Sequence, residues 1–190
     1  MEKKAVLGSK EEFTPALWAL AVERQVPTAQ KRASVGDGAL WVWNVAEDVC
    51  PDGRQIVDWF HAVENLAKAS HALYPNEKDE CKRKRWFNTY RKLLYMGQVH
   101  KIIDVVTQRG HANHAVYFER HQRRMQYHQF REEGLPIGSG TVESGVKQFK
   151  QRLCGTGMRW EENNANQMLL IRAAVLGDQF DALWHNATLH

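Results

Sequence analysis

With 190 residues and 43% apolar side chains, the chain is long enough for one domain, or one domain with an inserted subdomain, and too apolar for wholesale disorder. A net charge of +4 and a pI near 9.0 lean towards a polyanionic partner. Three scattered cysteines, Cys50, Cys81 and Cys154, exclude a disulfide framework and a cysteine-rich zinc site and fit a reducing cytosol. No apolar run is long enough to span a bilayer, and no signal peptide is visible at the start.

Residues 11–25 predict a helix, capped either at Thr14-Pro15 or one turn earlier by a Ser9/Glu12 capping box, and ended by Pro27. Ala33-Ser-Val-Gly runs as a short strand into a turn carrying Asp37. Residues 39–49 predict an aromatic-rich helix, and Arg54-Gln-Ile-Val a second short strand ending on Asp58. That order favours α/β topology with parallel neighbours. Beyond it the periodicity is helical: 61–74, 77–96, 99–106 and one helix over 114–131. A turn at 135–140 leads into the helix that carries Glu143, Gly155-Thr-Gly157 breaks it, and a final helix presents Leu169, Ala173, Leu176, Phe180 and Leu183 on one face. The fold expected is α/β but mostly α, divided into 1–60, an all-helical insertion over 61–134, and C-terminal helices over 135–190.

Several residue types in this pattern carry chemistry. Asp37 and Asp58 end neighbouring strands, and in open α/β sheets ligands bind at strand carboxyl ends. Glu143 opens a helix in which Val142, Val146, Phe149 and Leu153 share one face and Lys147 and Lys150 lie beside the carboxylate. Carboxylates from strand ends and a helix form a hard oxygen site for Mg²⁺ or Mn²⁺, which suits phosphodiester chemistry. Plainer readings stand beside these: Asp37 as a turn residue, Asp58 as a helix N-cap, Glu143 as a first-turn acid pairing with Lys147. Three basic blocks are interleaved with aromatics: Lys82-Arg83-Lys84-Arg85 before Trp86; Arg120, Arg123, Arg124 and Arg131; and Lys147, Lys150, Arg152 and Arg159. His114, His121 and His128 recur every seven residues, which favours a mixed polar helix face over a zinc site.

Asp37 in Val-Gly-Asp-Gly-Ala-Leu-Trp-Val-Trp, Asp58 and His61 in Ile-Val-Asp-Trp-Phe-His, Pro136-Ile-Gly-Ser-Gly-Thr-Val-Glu143 and Gly157-Met-Arg-Trp160 together resemble bacterial insertion-sequence transposases of the ISKra type, distantly related to the Mutator-like ones. The resemblance spans about residues 10–184. It implies a ribonuclease-H-like core with an Asp-Asp-Glu metal triad, in which Asp37 is the second acid and Glu143 the third, with the Asp58/His61 pair supporting the site. It further implies Mg²⁺ or Mn²⁺ as cofactor and DNA as partner. A homo-oligomer or a full-length transposase is a further partner, and the location is the bacterial cytoplasm at the nucleoid. Lys147, Lys150, Arg152 and Arg159, with Lys82, Arg83, Lys84 and Arg85, are the expected DNA contacts.

The chain departs from that pattern at its start. Residues 1–36 contain no aspartate, so the first acid and the first strands have no counterpart here. The expectation is a partial core: the C-terminal part of a transposase, inactive alone, with Val35 and Ile56 on an unpaired sheet edge. A DNA-binding or regulatory remnant and a ribonuclease-H-like nuclease are the alternatives.

Overall fold

The computed structural model describes residue 3 and residues 5–188, without the side chains of residues 141–143, 183 and 186–188. The chain is mostly helical, with one small parallel sheet, and it forms two compact units: residues 30–139, and residues 1–29 with 140–190.

In the first unit, β1 (Ala33–Gly36) and β2 (Arg54–Val57) pair in parallel with Val35 opposite Ile56 and Gly36 opposite Val57. Between them runs α2 (Leu40–Val49), whose Trp43, Val45, Ala46 and Val49 are buried. Five further helices follow: α3 (Trp59–Leu73), α4 (Glu80–Tyr95), α5 (Val99–Gln108), α6 (Ala112–His121) and α7 (Tyr127–Glu132). Each contributes apolar residues at helical spacing to one core. Leu66, Trp86, Leu94, Ile102, Val106, Phe118, Tyr127 and Phe130 meet Ile56 and Val57 of β2 there. The helices expected as an insertion therefore pack on the sheet within the same unit.

This packing bears on the sheet edge. Ile56 is fully buried, whereas all four residues of β1 are half-buried. In this two-stranded sheet β2 pairs only with β1, but Ile56 is not open to solvent, because the segment around Met125 and Tyr127 covers β2. The Tyr127 hydroxyl donates to the Val57 carbonyl at 2.9 Å.

The single helix expected over 114–131 is corrected by the structure. It breaks into α6, a 3₁₀ turn at Gln122–Met125 and α7. The break turns Met125 and Tyr127 both into the core, which one uninterrupted helix would not do for residues two apart. It also dissolves the histidine face: His121 is buried, while His128 pairs with Glu132 at 3.1 Å.

The second unit holds α1 (Lys10–Glu23), α8 (Gly140–Leu153), α9 (Glu162–Leu176) and α10 (Phe180–Thr188). Of the two caps open to α1, the Ser9/Glu12 capping box is the one formed, with the Ser9 amide donating to Glu12 at 2.8 Å. Pro15 therefore sits inside the helix. The final helix expected through residue 183 is broken at Gly177-Asp178, where Asp178 takes a positive φ of 59°. Val142 lies outside the described side chains; of the apolar face expected on α8, Val146 is exposed and Phe149 and Leu153 are half-buried. The Trp160 indole donates to the Leu153 carbonyl at 2.9 Å, so the Gly-Met-Arg-Trp element closes the end of α8. Among the described residues no helix is long and apolar enough to cross a membrane.

Candidate functional site

The two strands end side by side, and an aspartate follows each. The ladder runs one residue past β2, with the Asp58 amide donating to the Gly36 carbonyl at 2.7 Å. Asp37 and Asp58 therefore leave the carboxyl ends of adjacent parallel strands, the position expected for a ligand site. Their surroundings differ sharply.

Asp58 is fully buried and is the N-cap of α3. One carboxylate oxygen accepts from the Phe60 amide at 2.8 Å and the His61 amide at 3.3 Å. The other accepts short bonds from both the amide and the hydroxyl of Ser139. A carboxylate offers about four lone-pair sites, and here all four are used. Burial acts to raise the Asp58 pKa, but the bonds from Ser139 and the two α3 amides outweigh it and hold the carboxyl below its ordinary value. The His61 ring stands beside it, with Nδ1 3.5 Å from the first Asp58 oxygen. Asp58 thus joins the β2–α3 junction to the 135–139 segment, and the Trp59 amide adds a bond to the Ile137 carbonyl at 2.9 Å.

Asp37 is exposed. Among the described residues its side chain accepts from the Ala39 amide alone, at 2.9 Å, a local turn bond that leaves acceptor capacity open. The turn is shaped by two residues of α6 that the sequence did not single out as a pair. The Tyr117 hydroxyl donates to the Asp37 carbonyl at 3.1 Å. Gly38 has φ +102°, and a Cβ there would lie 3.1 Å from the Tyr117 ring and 3.2 Å from His121 Nε2. Burial, with the Asp37, Asp58 and Glu64 carboxylates nearby, pushes the Tyr117 phenol well above its ordinary range and keeps it neutral. Burial, reinforced by Arg124 and Arg120, lowers the His121 pKa to about 4 against the pull of Asp37. Their four-residue spacing, which puts Tyr117 and His121 on one face of α6, was the available signal.

Glu143 lies in the first turns of α8, and its side chain falls outside the described residues. Among the described residues no three histidine, cysteine or carboxylate side chains group closely enough to hold a metal ion. Of the residues that are described, Asp37 fits a metal ligand because it is exposed with open acceptor sites, and Asp58 does not because its oxygens are saturated.

The basic residues divide in two. In α4, Lys82 pairs with Asp79 at 2.9 Å, Lys84 pairs with Glu80 at 2.6 Å, and Arg83 donates to the Tyr74 carbonyl at 3.2 Å, while Arg85 is exposed. Lys147, Lys150 and Arg152 of α8, and Arg159 beyond it, are exposed, with no carboxylate at ion-pair distance among the described residues. No protein-family model, curated protein or solved structure matches this chain.

Proposed function

We propose that this chain acts on DNA as part of a DDE-type transposase with a ribonuclease-H-like core, supplying two acids of the catalytic triad, Asp37 and Glu143. The observation that carries this reading is the Asp58–Ser139 joint. It holds Ser139, four residues before Glu143, at the carboxyl end of the strand next to the one that delivers Asp37. Bound Mg²⁺ or Mn²⁺ would supply an activated water or hydroxyl for in-line attack on a phosphodiester. Asp37 is the acid open to ligation. Asp58 and His61 position the turn and the segment that leads to Glu143. Lys147, Lys150, Arg152 and Arg159 contact DNA phosphates.

Residues 1–36 hold no aspartate, so the chain presents two acids where the resemblance calls for three. The purified chain should therefore bind DNA in a salt-dependent way and leave supercoiled plasmid intact in Mg²⁺. Metal-dependent nicking that Glu143→Ala abolishes would overturn the expected inactivity. Failure to bind DNA at low salt would overturn the reading as a whole.

A second reading has one observation in its favour, the saturated Asp58. A protein that binds DNA without cutting it, and that pairs with a full-length transposase, needs Asp58 as a structural joint and needs no ligand at Asp37. Under that reading Asp37→Ala leaves every property of the chain unchanged, including its effect on cleavage by an added transposase. Under the first reading the same change weakens Mg²⁺ binding.

A further inference from the structure

At the other end of the strands, residues at the start of β2, the end of α6, the 3₁₀ turn and α7 surround an open hollow of about 570 Å³. Its lining carries four arginines, Arg54, Arg120, Arg123 and Arg124, and four glutamines, against a single carboxylate, Glu119. Arg54 is already engaged, forked onto Glu133 with both bonds at 3.1 Å. The other three are not neutralised: among the described residues no carboxylate lies at ion-pair distance from Arg120, Arg123 or Arg124.

Arg124 is the informative one. Its guanidinium is half-buried, lies 4.7 Å from the centre of the Trp43 ring, and donates through Nε to the Gln55 side chain at 2.8 Å. Gln55 in turn reaches Glu47 at 3.4 Å, so the nearest acid is held one residue removed. The stack and the amide fix the plane of the fork, and Arg120 and Arg123 flank it, both exposed. A fixed guanidinium with free donors, supported by two more cations and by amides able to bond base edges, matches a phosphodiester chain.

We infer that this arginine–glutamine hollow is a second DNA-contacting surface, one that grips the phosphate backbone through residues other than the basic ones of α8. Arg54 marks the hollow's far edge, four residues or about 13 Å of strand from Asp58, while Arg124 lies on Trp43, which packs on His121 beside the Asp37 turn. The choice of DNA over another polyanion rests on the function proposed above; the charge and geometry of the hollow do not depend on it.

The test is fluorescence anisotropy of a labelled duplex with the full chain, between 50 and 200 mM salt. Arg120→Ala/Arg123→Ala removes two exposed cations that carry no described ion pair, and circular dichroism checks that the fold is kept. If each contacts one phosphate, the slope of log K against log salt falls by about 0.9 per contact. The advantage of the native chain over the variant then shrinks about twelve-fold across that range. Arg120→Lys/Arg123→Lys keeps the slope. An unchanged affinity and slope in the folded alanine variant would overturn the second surface while leaving the proposed function standing. A native chain that binds no duplex even at 50 mM salt sinks both. Polyglutamate bound through Arg120 and Arg123 as tightly as DNA would reassign the hollow to an acidic protein partner.

Discussion

Replacing Asp58 with alanine tests the joint between the β2–α3 junction and Ser139. The change deprives three amides and one hydroxyl of their acceptor: Phe60, His61 and both donors of Ser139. Loss of an N-cap alone costs about 0.5–2 kcal/mol. The Ser139 arm adds charge-assisted bonds to a fully buried carboxylate, worth about 1.5–3 kcal/mol. The two share one anion and are not additive, so the expected loss is about 3 kcal/mol, a large part of a domain's usual stability of about 5–15 kcal/mol. Ser139→Ala removes only the hydroxyl, a bond to a charged group, and should cost about 1.5 kcal/mol. The double variant should be little worse than Asp58→Ala, because Ser139 loses its partner in both.

Denaturant unfolding of the four proteins measures these differences, and amide exchange at residues 60, 61 and 139 should quicken in the Asp58 variant. The pH dependence has a definite sign. The folded pKa of Asp58 is depressed, so its contribution is complete above the unfolded value of about 3.9 and is lost as pH falls through the folded pKa. The gap between native and Asp58→Ala should be full at pH 7 and narrow in strong acid, where the share that comes from the depressed pKa is lost. A gap below about 0.5 kcal/mol at pH 7, or one that does not narrow in acid, would refute the joint.

Two further outcomes concern the turn at Asp37. His121, buried and lowered to about 4, must stay neutral when folded. Native stability should therefore fall as pH drops from about 6.5 towards 4, by an amount on the order of 3 kcal/mol; His121→Gln should flatten that limb of an unfolding-versus-pH curve. Gly38→Ala forces a Cβ against Tyr117 and His121 at a backbone angle that alanine resists. It should cost about 1–3 kcal/mol by thermal unfolding and weaken any metal binding measured at Asp37.

Much of this fold was legible locally. Strand signals at 33–36 and 54–57, each followed by an acid, appear where they were expected, because alternation and β-branching act over a few residues. The break at 122–125 was not legible, since Phe118, His121 and Met125 continue a helical apolar period straight through it. What broke the helix was remote: Tyr127 must reach the Val57 carbonyl, seventy residues earlier in the chain. The joint was hidden for the same reason. Asp58 read as an N-cap, which it is, but its second oxygen finds Ser139 across 81 residues that no local pattern connects. Tyr117 reaches the Asp37 turn across 80. The hollow was half visible as a run of arginines, but Arg54 and Gln55 join it only when β2 lies beside the 3₁₀ turn.

The span of that joint sets an order for folding during synthesis. The sheet and α3 leave the ribosome long before residue 139, so for about eighty residues of translation the α3 amides lack half of the contacts that fix their acceptor. At about 5–20 residues per second that interval lasts several seconds. Until residues 125–127 emerge, Ile56 and Val57 of β2 lack the cover of Met125 and Tyr127, and the 135–139 segment follows last. The nascent chain is therefore open to misassociation at β2 until the later helices of its first unit are made. Translation past Ser139 then completes the joint at Asp58.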